Sequence, residues 1–271
     1  MRGYIYSLLG IFMTVLFSCG PFTAPQVNRP FITAVYPSGD TVPENLLRLY
    51  VHFSKPMRTS GIMAHIRLVD QQGEPIQGAF FPEQDGLWDP MQQQLTLLLD
   101  PGRVKTGLQA HEQMGRALQR GQSVTLQIDT LQDVNGDWMP GPFQKTVWVG
   151  PPDTTAPDPQ SWQVTPPAAG SKQALQLDFP DQLDEFSLRQ RLLLTNAQNE
   201  PVPGEIHLTQ QEQTWRLTPN DPWRTGEYRL YIHHRLEDPS GNNLNGLFDH
   251  PIGSLKYASE DQMDTLIIQI N

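Results

Sequence analysis

The sequence has 271 residues, of which 38% are hydrophobic, and a formal net charge of −10 at pH 7. A chain this acidic has no electrostatic reason to bind nucleic acid or anionic lipid, because both are polyanions. Its single cysteine excludes an internal disulfide, and its 25 prolines and 21 glycines favour a chain rich in turns. The length suits one large domain or two ordinary ones.

The first element in the chain is an uncharged apolar run over residues 3–17, which follows one positive residue, Arg2. This order is typical of a secretory signal peptide. The run is shorter than the roughly 20 apolar residues that span a bilayer comfortably. We therefore predict a signal peptide over residues 1–18 and no membrane-spanning helix.

The cysteine follows directly, in the order Leu16-Phe17-Ser18-Cys19-Gly20. This stretch resembles the lipobox of bacterial lipoproteins. The resemblance implies that the signal is cleaved between Ser18 and Cys19, and that Cys19 then carries fatty acyl chains such as palmitate. The alternative is an ordinary signal peptide with an incidental cysteine, but a lone exported thiol lacks a disulfide partner and invites oxidation. Gly20, rather than Asp, favours the outer membrane if the host is Gram-negative.

An internal repeat occupies the rest of the chain. Residues 49–78 align without a gap with residues 175–204, and the stretch from Gly121 matches the stretch from Gly226. The apolar positions agree even where identities differ, as shared burial requires. We predict a lipidated tether over residues 19–30, a first domain over 31–150, a linker over 151–159 and a second domain over 160–271.

Short runs of alternating apolar residues recur in both copies, such as "LRLYVHF" from Leu47 and "EYRLYIHH" from Glu227. Clusters of Gly, Pro, Asn and Asp separate these runs. This pattern predicts an all-β chain with two tandem β-sandwich domains. Only the segment over residues 107–120 favours a turn or two of helix.

Three stretches in these copies carry a further pattern, "VPENLLRLYVHFSKPM" from Val42, "LVDQQGEPIQG" from Leu68 and "LEDPSGNNL" from Leu236. They resemble bacterial Ig-like domains of surface-layer and cell-envelope proteins. The resemblance covers nearly all of the chain from about residue 30. It implies two Ig-like sandwiches with a structural or adhesive role, and it implies no catalysis.

One turn places oxygen ligands at alternate positions, Asp133, Asn135 and Asp137, like the start of a calcium loop. The twelfth position of such a loop needs a glutamate, but Gln144 stands there. Tight turns use the same residue types, and the seven histidines lack zinc-like spacing. We therefore predict no metal and no cofactor.

Two pairs of carboxylates could act as acid and base, Asp181 with Asp184 and Glu237 with Asp238. Both pairs lie in predicted turns of an acidic protein, where solvated carboxylates are expected. No nucleophile motif accompanies them. The sequence predicts that the protein is not an enzyme, and a small hydrolase on a sandwich scaffold is the weakest alternative.

The tryptophans offer a candidate binding surface. Trp88, Trp138 and Trp223 lie in turn-like contexts, so we expect exposed rings that could stack on a sugar or peptide. Trp148 and Trp215 lie in strand patterns, so we expect them in the core. The alternative is that each turn tryptophan fills an end of its sandwich.

The first copy also carries an insertion over residues 101–120, which holds four cationic side chains and a single acid, Glu112. The cations are Arg103, Lys105, Arg116 and Arg120. Because loops on a rigid scaffold often carry binding function, this basic patch is a candidate contact for an anionic partner or for the second domain. The alternative is a crossover that covers one sheet edge.

These observations predict a non-catalytic cell-envelope lipoprotein whose two Ig-like domains act as a binding, adhesion or spacer module. Its contact with the membrane would come from the lipid anchor, its partner would be an envelope protein or a glycan, and nucleic acid is excluded. The main alternative is a carbohydrate- or cell-wall-binding accessory lipoprotein that uses the aromatic side chains.

Overall fold

The computed structural model describes residues 28–81, 87–250 and 262–271. The predicted signal peptide, the cleavage site at Ser18 and Cys19, and most of the tether lie outside the described residues. No helix in the described ranges is long and apolar enough to span a membrane.

The first copy of the repeat forms two sheets, ordered β1-β3-β5 and β2-β7-β6-β4. All neighbouring strands are antiparallel except β2 and β7. The strands are β1 (Ile32–Tyr36), β2 (Thr41–Pro43), β3 (Arg48–Phe53), β4 (Ile66–Val69), β5 (Gln94–Leu98), β6 (Ser123–Ile128) and β7 (Phe143–Gly150).

The second copy forms two sheets of the same kind, ordered β11-β12-β9-β8 and β10-β13-β14, with antiparallel neighbours throughout. The strands are β8 (Gln163–Thr165), β9 (Leu175–Asp178), β10 (Leu192–Asn196), β11 (Gly204–Thr209), β12 (Thr214–Pro219), β13 (Gly226–His233) and β14 (Met263–Ile270).

Helix is limited to short pieces in the described residues. The insertion forms α1 (Pro101–Val104) and α2 (Gln109–Met114), where the sequence favours a helical turn, and α3 (Glu185–Gln190) follows β9. Two 3-10 turns lie at Ile62–His65 and Pro159–Ser161.

Each pair of sheets packs around its own hydrophobic core. Alternate residues of β6, namely Val124, Leu126 and Ile128, point inward and are buried, as the period of two in a strand requires. Leu230 and Ile232 of β13 do the same in the second core. The predicted all-β sandwich fold is therefore confirmed. We call β1–β7 the N-terminal sandwich and β8–β14 the C-terminal sandwich.

Matched positions of the repeat make matched turns. Asp70 and Asn196 are equivalent in the alignment, and each side chain accepts hydrogen bonds from the backbone N–H groups two and four residues later. The third residue after each has positive φ, 85° at Gly73 and 62° at Asn199. Glycine and asparagine are the residues that adopt this conformation most readily. The same types of turn residue at equivalent positions therefore form the same hairpin in both copies.

The N-terminal sandwich has two ends with different surroundings. One end, where β1 finishes and β3 begins, lies against the C-terminal sandwich, and we call this contact the junction. We call the opposite end the distal end. It comprises Phe31 and residues 54–58, 89–92 and 132–138, which adjoin one another through backbone hydrogen bonds.

Candidate functional site at the junction

The junction is built on the outer face of β3. Alternation sends Leu49 and Val51 into the core and leaves Tyr50 pointing outward. Its phenol donates a hydrogen bond of 2.9 Å to Asp184 Oδ2. The other oxygen of Asp184 accepts from Ser187 N at 2.8 Å and so caps α3. An outward tyrosine is therefore buried by the second sandwich.

An ion pair lies beside this hydrogen bond. Arg48 Nη2 donates to Glu237 Oε2 at 2.6 Å, and Leu47 N donates to the carbonyl of Pro239 at 2.9 Å. Burial raises the pKa of the Asp184 and Glu237 carboxyl groups above their usual values, and the Arg48 guanidinium only partly opposes this shift. Charged groups of both sandwiches are thus held largely away from water.

The predicted linker is fixed to both sandwiches through Asn45. Its Nδ2 donates to the carbonyl of Asp153 at 2.8 Å, and its Oδ1 accepts from Asp153 N at 2.8 Å. The same Oδ1 accepts from Ser240 Oγ at 3.0 Å. One buried amide therefore joins the N-terminal sandwich, the connecting segment and the C-terminal sandwich.

Further contacts extend the junction along β3 and the preceding turn. His52 Nε2 lies 3.5 Å from Glu185 Oε2, and Ser38 N donates to Glu212 Oε2 at 2.9 Å. Glu185 and Glu212 are both buried. The polar groups of the junction are therefore spread over its width and do not form a single cluster.

The first of the predicted basic residues, Arg103, is not on the surface. Its side chain is buried, and its guanidinium donates to five backbone carbonyls, so the expectation of a partner contact at this residue is wrong. The fork of donors in a guanidinium suits such a role, because five N–H groups can be satisfied at once. The acceptors are the carbonyls of Gln77, Gly78, Met114, Gly115 and Arg116.

The remaining basic residues differ in what they contact. Arg116 lies 3.1 Å from Asp249 Oδ2 and 3.4 Å from Glu44 Oε2, and Lys105 Nζ lies 5.2 Å above the ring of Phe248. Arg120 is exposed. The insertion therefore uses Arg116 and Lys105 to contact the loop that follows β13. Of the hypotheses that the sequence left open for this insertion, this geometry favours a contact with the second copy.

The tryptophans are distributed differently from the expectation. Trp223 is only 3% exposed, its Nε1 donates to the carbonyl of Gln173 at 2.7 Å, and its ring meets Tyr228 edge-on at 5.3 Å. Trp88 is half-buried and packs against Phe53 at 5.6 Å between ring centroids. The prediction that Trp223 is exposed is therefore wrong, and both side chains pack against other aromatic side chains of their own sandwich.

The exposed rings are instead Trp138 and Trp148, which are 52% and 49% exposed. Trp138 was expected at the surface, but Trp148 was expected in the core. Its neighbour Val149 is buried, so alternation along β7 sends Trp148 to the outer face of the sheet. Trp215, at 1% exposed, is in the core as expected.

The predicted calcium-like turn is closed by its own carboxylate. Asp133 Oδ1 accepts from Asn135 N and from Asp137 N, both at 2.9 Å, and its Oδ2 lies 3.6 Å from Lys55 Nζ. Asn135 and Asp137 are exposed. Within the part of the chain that the structure describes, no group of three or more His, Cys, Asp or Glu side chains could hold a metal ion. Asp133 therefore serves as a turn residue.

The carboxylate pairs considered from the sequence fall at the junction and beside the linker. A cavity of about 240 Å³ is bordered by Asp153, Asp181 and Asp238. Burial and the neighbouring Asp153 carboxylate raise the pKa of Asp238 to about 8. Yet Asp238 Oδ1 accepts from Ser240 N and Asn242 N, and its Oδ2 accepts from Asn242 Nδ2 at 2.8 Å. Its oxygens are used to hold a turn.

No protein-family model and no curated protein matches the chain. Among solved structures, the chain is similar to α2-macroglobulin from Escherichia coli spanning domains MG0-NIE-MG1. The sequence identity is 12%, the match covers 90% of this chain and 72% of that chain, and the TM-score is 0.30. It is also similar to domains 1–6 of the surface layer protein SbsC. The identity is 9%, the match covers 90% of this chain and 41% of that chain, and the TM-score is 0.32.

A third similar structure is SGBP-B of the Bacteroides ovatus mixed-linkage glucan utilization locus in complex with a heptasaccharide. The identity is 12%, the coverage is 89% of this chain and 47% of that chain, and the TM-score is 0.23. The chain thus spans less than half the length of this structure and of SbsC. At such scores the likeness carries no functional argument. The fold and the junction themselves define the class, an all-β protein of two sandwiches joined through buried polar groups.

Proposed function

We propose that the chain is a non-catalytic cell-envelope lipoprotein whose two Ig-like sandwich domains form one rigid binding, adhesion or spacer module. The domains would cover residues 31–150 and 160–271, with residues 151–159 as the linker. The observation that carries the proposal is the junction, in which Tyr50 and Arg48 engage Asp184 and Glu237 of the other sandwich.

The energetics of the junction support rigidity. Domains of one chain move relative to each other by default when their interface is small and polar. Here, however, the polar groups are buried, and breaking one hydrogen bond to a buried charged group costs about 1.5–3 kcal/mol. Several such contacts must break together before the sandwiches can swing apart. A module of this kind keeps a fixed distance between its two ends.

The anchor would be supplied by the lipobox at Leu16–Cys19. More than one acyl chain is needed for stable attachment, and lipidation on the thiol and on the new amino group meets this requirement. The buried carboxylates near the linker support the non-catalytic part of the proposal, because Asp184 and Asp238 are engaged in a helix cap and a turn.

Two readouts test the proposal. Cells that express the chain are fed an alkyne fatty acid, and we expect the wild-type protein to be labelled and Cys19→Ser to remain unlabelled. The Cys19→Ser protein should also be released from the membrane fraction. Small-angle scattering of the released Cys19→Ser chain should fit the two sandwiches in one fixed arrangement. An unlabelled wild type would refute the anchor, and scattering that requires an ensemble of arrangements would refute the rigid module.

A further inference from the structure

The distal end of the N-terminal sandwich presents a group of exposed apolar side chains. Phe31, Met91, Val134 and Trp138 are each at least half exposed. They come from separate parts of the sequence. Phe31 and Val134 form backbone hydrogen bonds with residues 54–58, and Met91 and Trp138 are next to or paired with residues that do so. Exposed apolar residues scattered singly are normal, but a contiguous group marks a contact surface.

Backbone hydrogen bonds hold these side chains together at one end. Ser54 N donates to the carbonyl of Phe31 at 2.9 Å, and Val134 N donates to the carbonyl of Pro56 at 3.1 Å. Met57 N donates to the carbonyl of Gln92, the residue after Met91, at 2.9 Å. The group is therefore part of the ordered frame of the sandwich.

The indole of Trp138 is directed outward by the turn beneath it. Trp138 pairs with Gln132 across the hairpin that Asp133 closes, and Met139 N donates to the carbonyl of Leu131 at 2.9 Å. Met139 and Leu131 are buried, so alternation sends Trp138 to the solvent side. The ring thus points away from the core and is 52% exposed.

The internal repeat shows what this end of the fold does in the other sandwich. The Asp133 turn corresponds to the Asp238 turn, and Val134 corresponds to Pro239. Pro239 is buried, and its carbonyl accepts from Leu47 across the junction. The same end of the fold is therefore covered in the C-terminal sandwich and exposed in the N-terminal one.

We propose that the distal end lies on the membrane surface, with Trp138 and its apolar neighbours at the level of the lipid headgroups. This proposal rests on the proposed lipidation of Cys19. Twelve residues separate Cys19 from Phe31, a span of at most about 40 Å when fully extended. The anchor therefore keeps this end within reach of the bilayer.

The chemistry of the distal end suits a lipid interface. Tryptophan is enriched at the level of the headgroups because its ring is apolar and its N–H is polar. Arg29 and Arg58 are exposed and form no salt bridge with any residue in the described ranges, and they balance the charges of Asp89 and Asp137. The remaining acid, Asp133, lies 3.6 Å from Lys55. The end is near neutrality on a strongly acidic molecule, so anionic headgroups repel it only weakly. The membrane contact would then not come from lipid alone.

The single cysteine allows a direct test with a matched control. The chain that starts at Cys19 is coupled through its thiol to a maleimide lipid in vesicles of phosphatidylethanolamine with a minor share of phosphatidylglycerol. Quenching of tryptophan emission by brominated lipid is then compared in the wild type, Trp138→Phe and Trp148→Phe. Trp148 is equally exposed but lies on the outer face of β7, so it controls for general quenching of exposed rings.

We expect brominated lipid to quench the tryptophan emission of the wild type and of Trp148→Phe to the same extent. The emission of Trp138→Phe should be the same in brominated and in unbrominated vesicles. In the uncoupled chain, Trp138→Ala should lower the partition into vesicles about tenfold or more, as the loss of a buried aromatic ring implies. Absence of quenching in the wild type would overturn the proposal. So would equal loss in the two Phe variants, or burial of Trp138 only on addition of a soluble protein or glycan. Failure of acyl labelling in cells would refute the anchor separately, because the vesicle assay supplies its own tether.

Discussion

The hydroxyl of Tyr50 and the carboxylate of Asp184 join the two sandwiches by a hydrogen bond of 2.9 Å, while the same carboxylate caps α3. The side chain of Phe186, in the first turn of that helix, stacks on the ring of Tyr50 at 6.3 Å between centroids. Docking of the N-terminal sandwich therefore depends on a local feature of the C-terminal one. Loosening the junction should also loosen the start of α3.

Tyr50→Phe removes the hydroxyl and leaves a buried carboxylate oxygen without its donor. We expect the free energy of unfolding to fall by about 1–3 kcal/mol, the usual cost of an unsatisfied buried polar group. Denaturant unfolding followed by circular dichroism measures this change. Tyr231→Phe is the matched control, since that hydroxyl bonds Asn199 on the surface, and its loss should cost less than about 0.5 kcal/mol. Equal costs would show that the Tyr50 bond contributes nothing specific.

Arg103→Gln removes a guanidinium that satisfies five backbone carbonyls in the insertion. We expect a loss of about 2–4 kcal/mol, because several buried acceptors lose their donor together. Arg120→Gln lies in the same segment with an exposed side chain, and it should change stability by less than about 0.5 kcal/mol. A mild effect of Arg103→Gln would mean that water replaces the guanidinium.

The stability of the chain should depend on pH through Asp238. Its pKa is raised to about 8 in the folded state, against about 4 for an unfolded aspartate. The folded state therefore binds this proton more tightly. The resulting stability is fully present below about pH 4 and is lost as the pH rises through about 8. Unfolding measured across this range should show the decline.

Asp153→Asn isolates the cause of that decline. It removes the carboxylate that helps to raise the pKa of Asp238, while the amide oxygen can still accept from Thr155 N. We expect the variant to gain stability over the wild type above about pH 8 and to match it near pH 4. The idea fails if the two proteins show the same dependence of unfolding free energy on pH.

Much of the fold follows from local chemistry. The alternation of apolar residues in β6 and the turn residues at Asp70, Gly73 and Asn199 act within a few positions, so their outcome can be predicted from the sequence. The repeat likewise predicts that Asp133 and Asp238 close equivalent turns.

The junction and the surface could not be predicted in this way, because they depend on residues distant in the chain. Tyr50 has the features of an ordinary strand residue, and nothing near it indicates Asp184, which lies 134 positions later. Arg103 has the features of a surface cation until its carbonyl acceptors are known. Trp148 is a large aromatic residue in a strand, which favours a place in the core, and only the register of β7 directs it outward.

The rigid junction is the central claim, and the distance between two spin labels tests it most directly. Gln144→Cys in β7 and Gln269→Cys in β14 place exposed thiols on different sandwiches, and Cys19→Ser removes the only native thiol. In the doubly labelled chain, double electron–electron resonance should give one narrow distance distribution at the separation set by the structure. A broad or multimodal distribution in the wild-type junction would contradict the account.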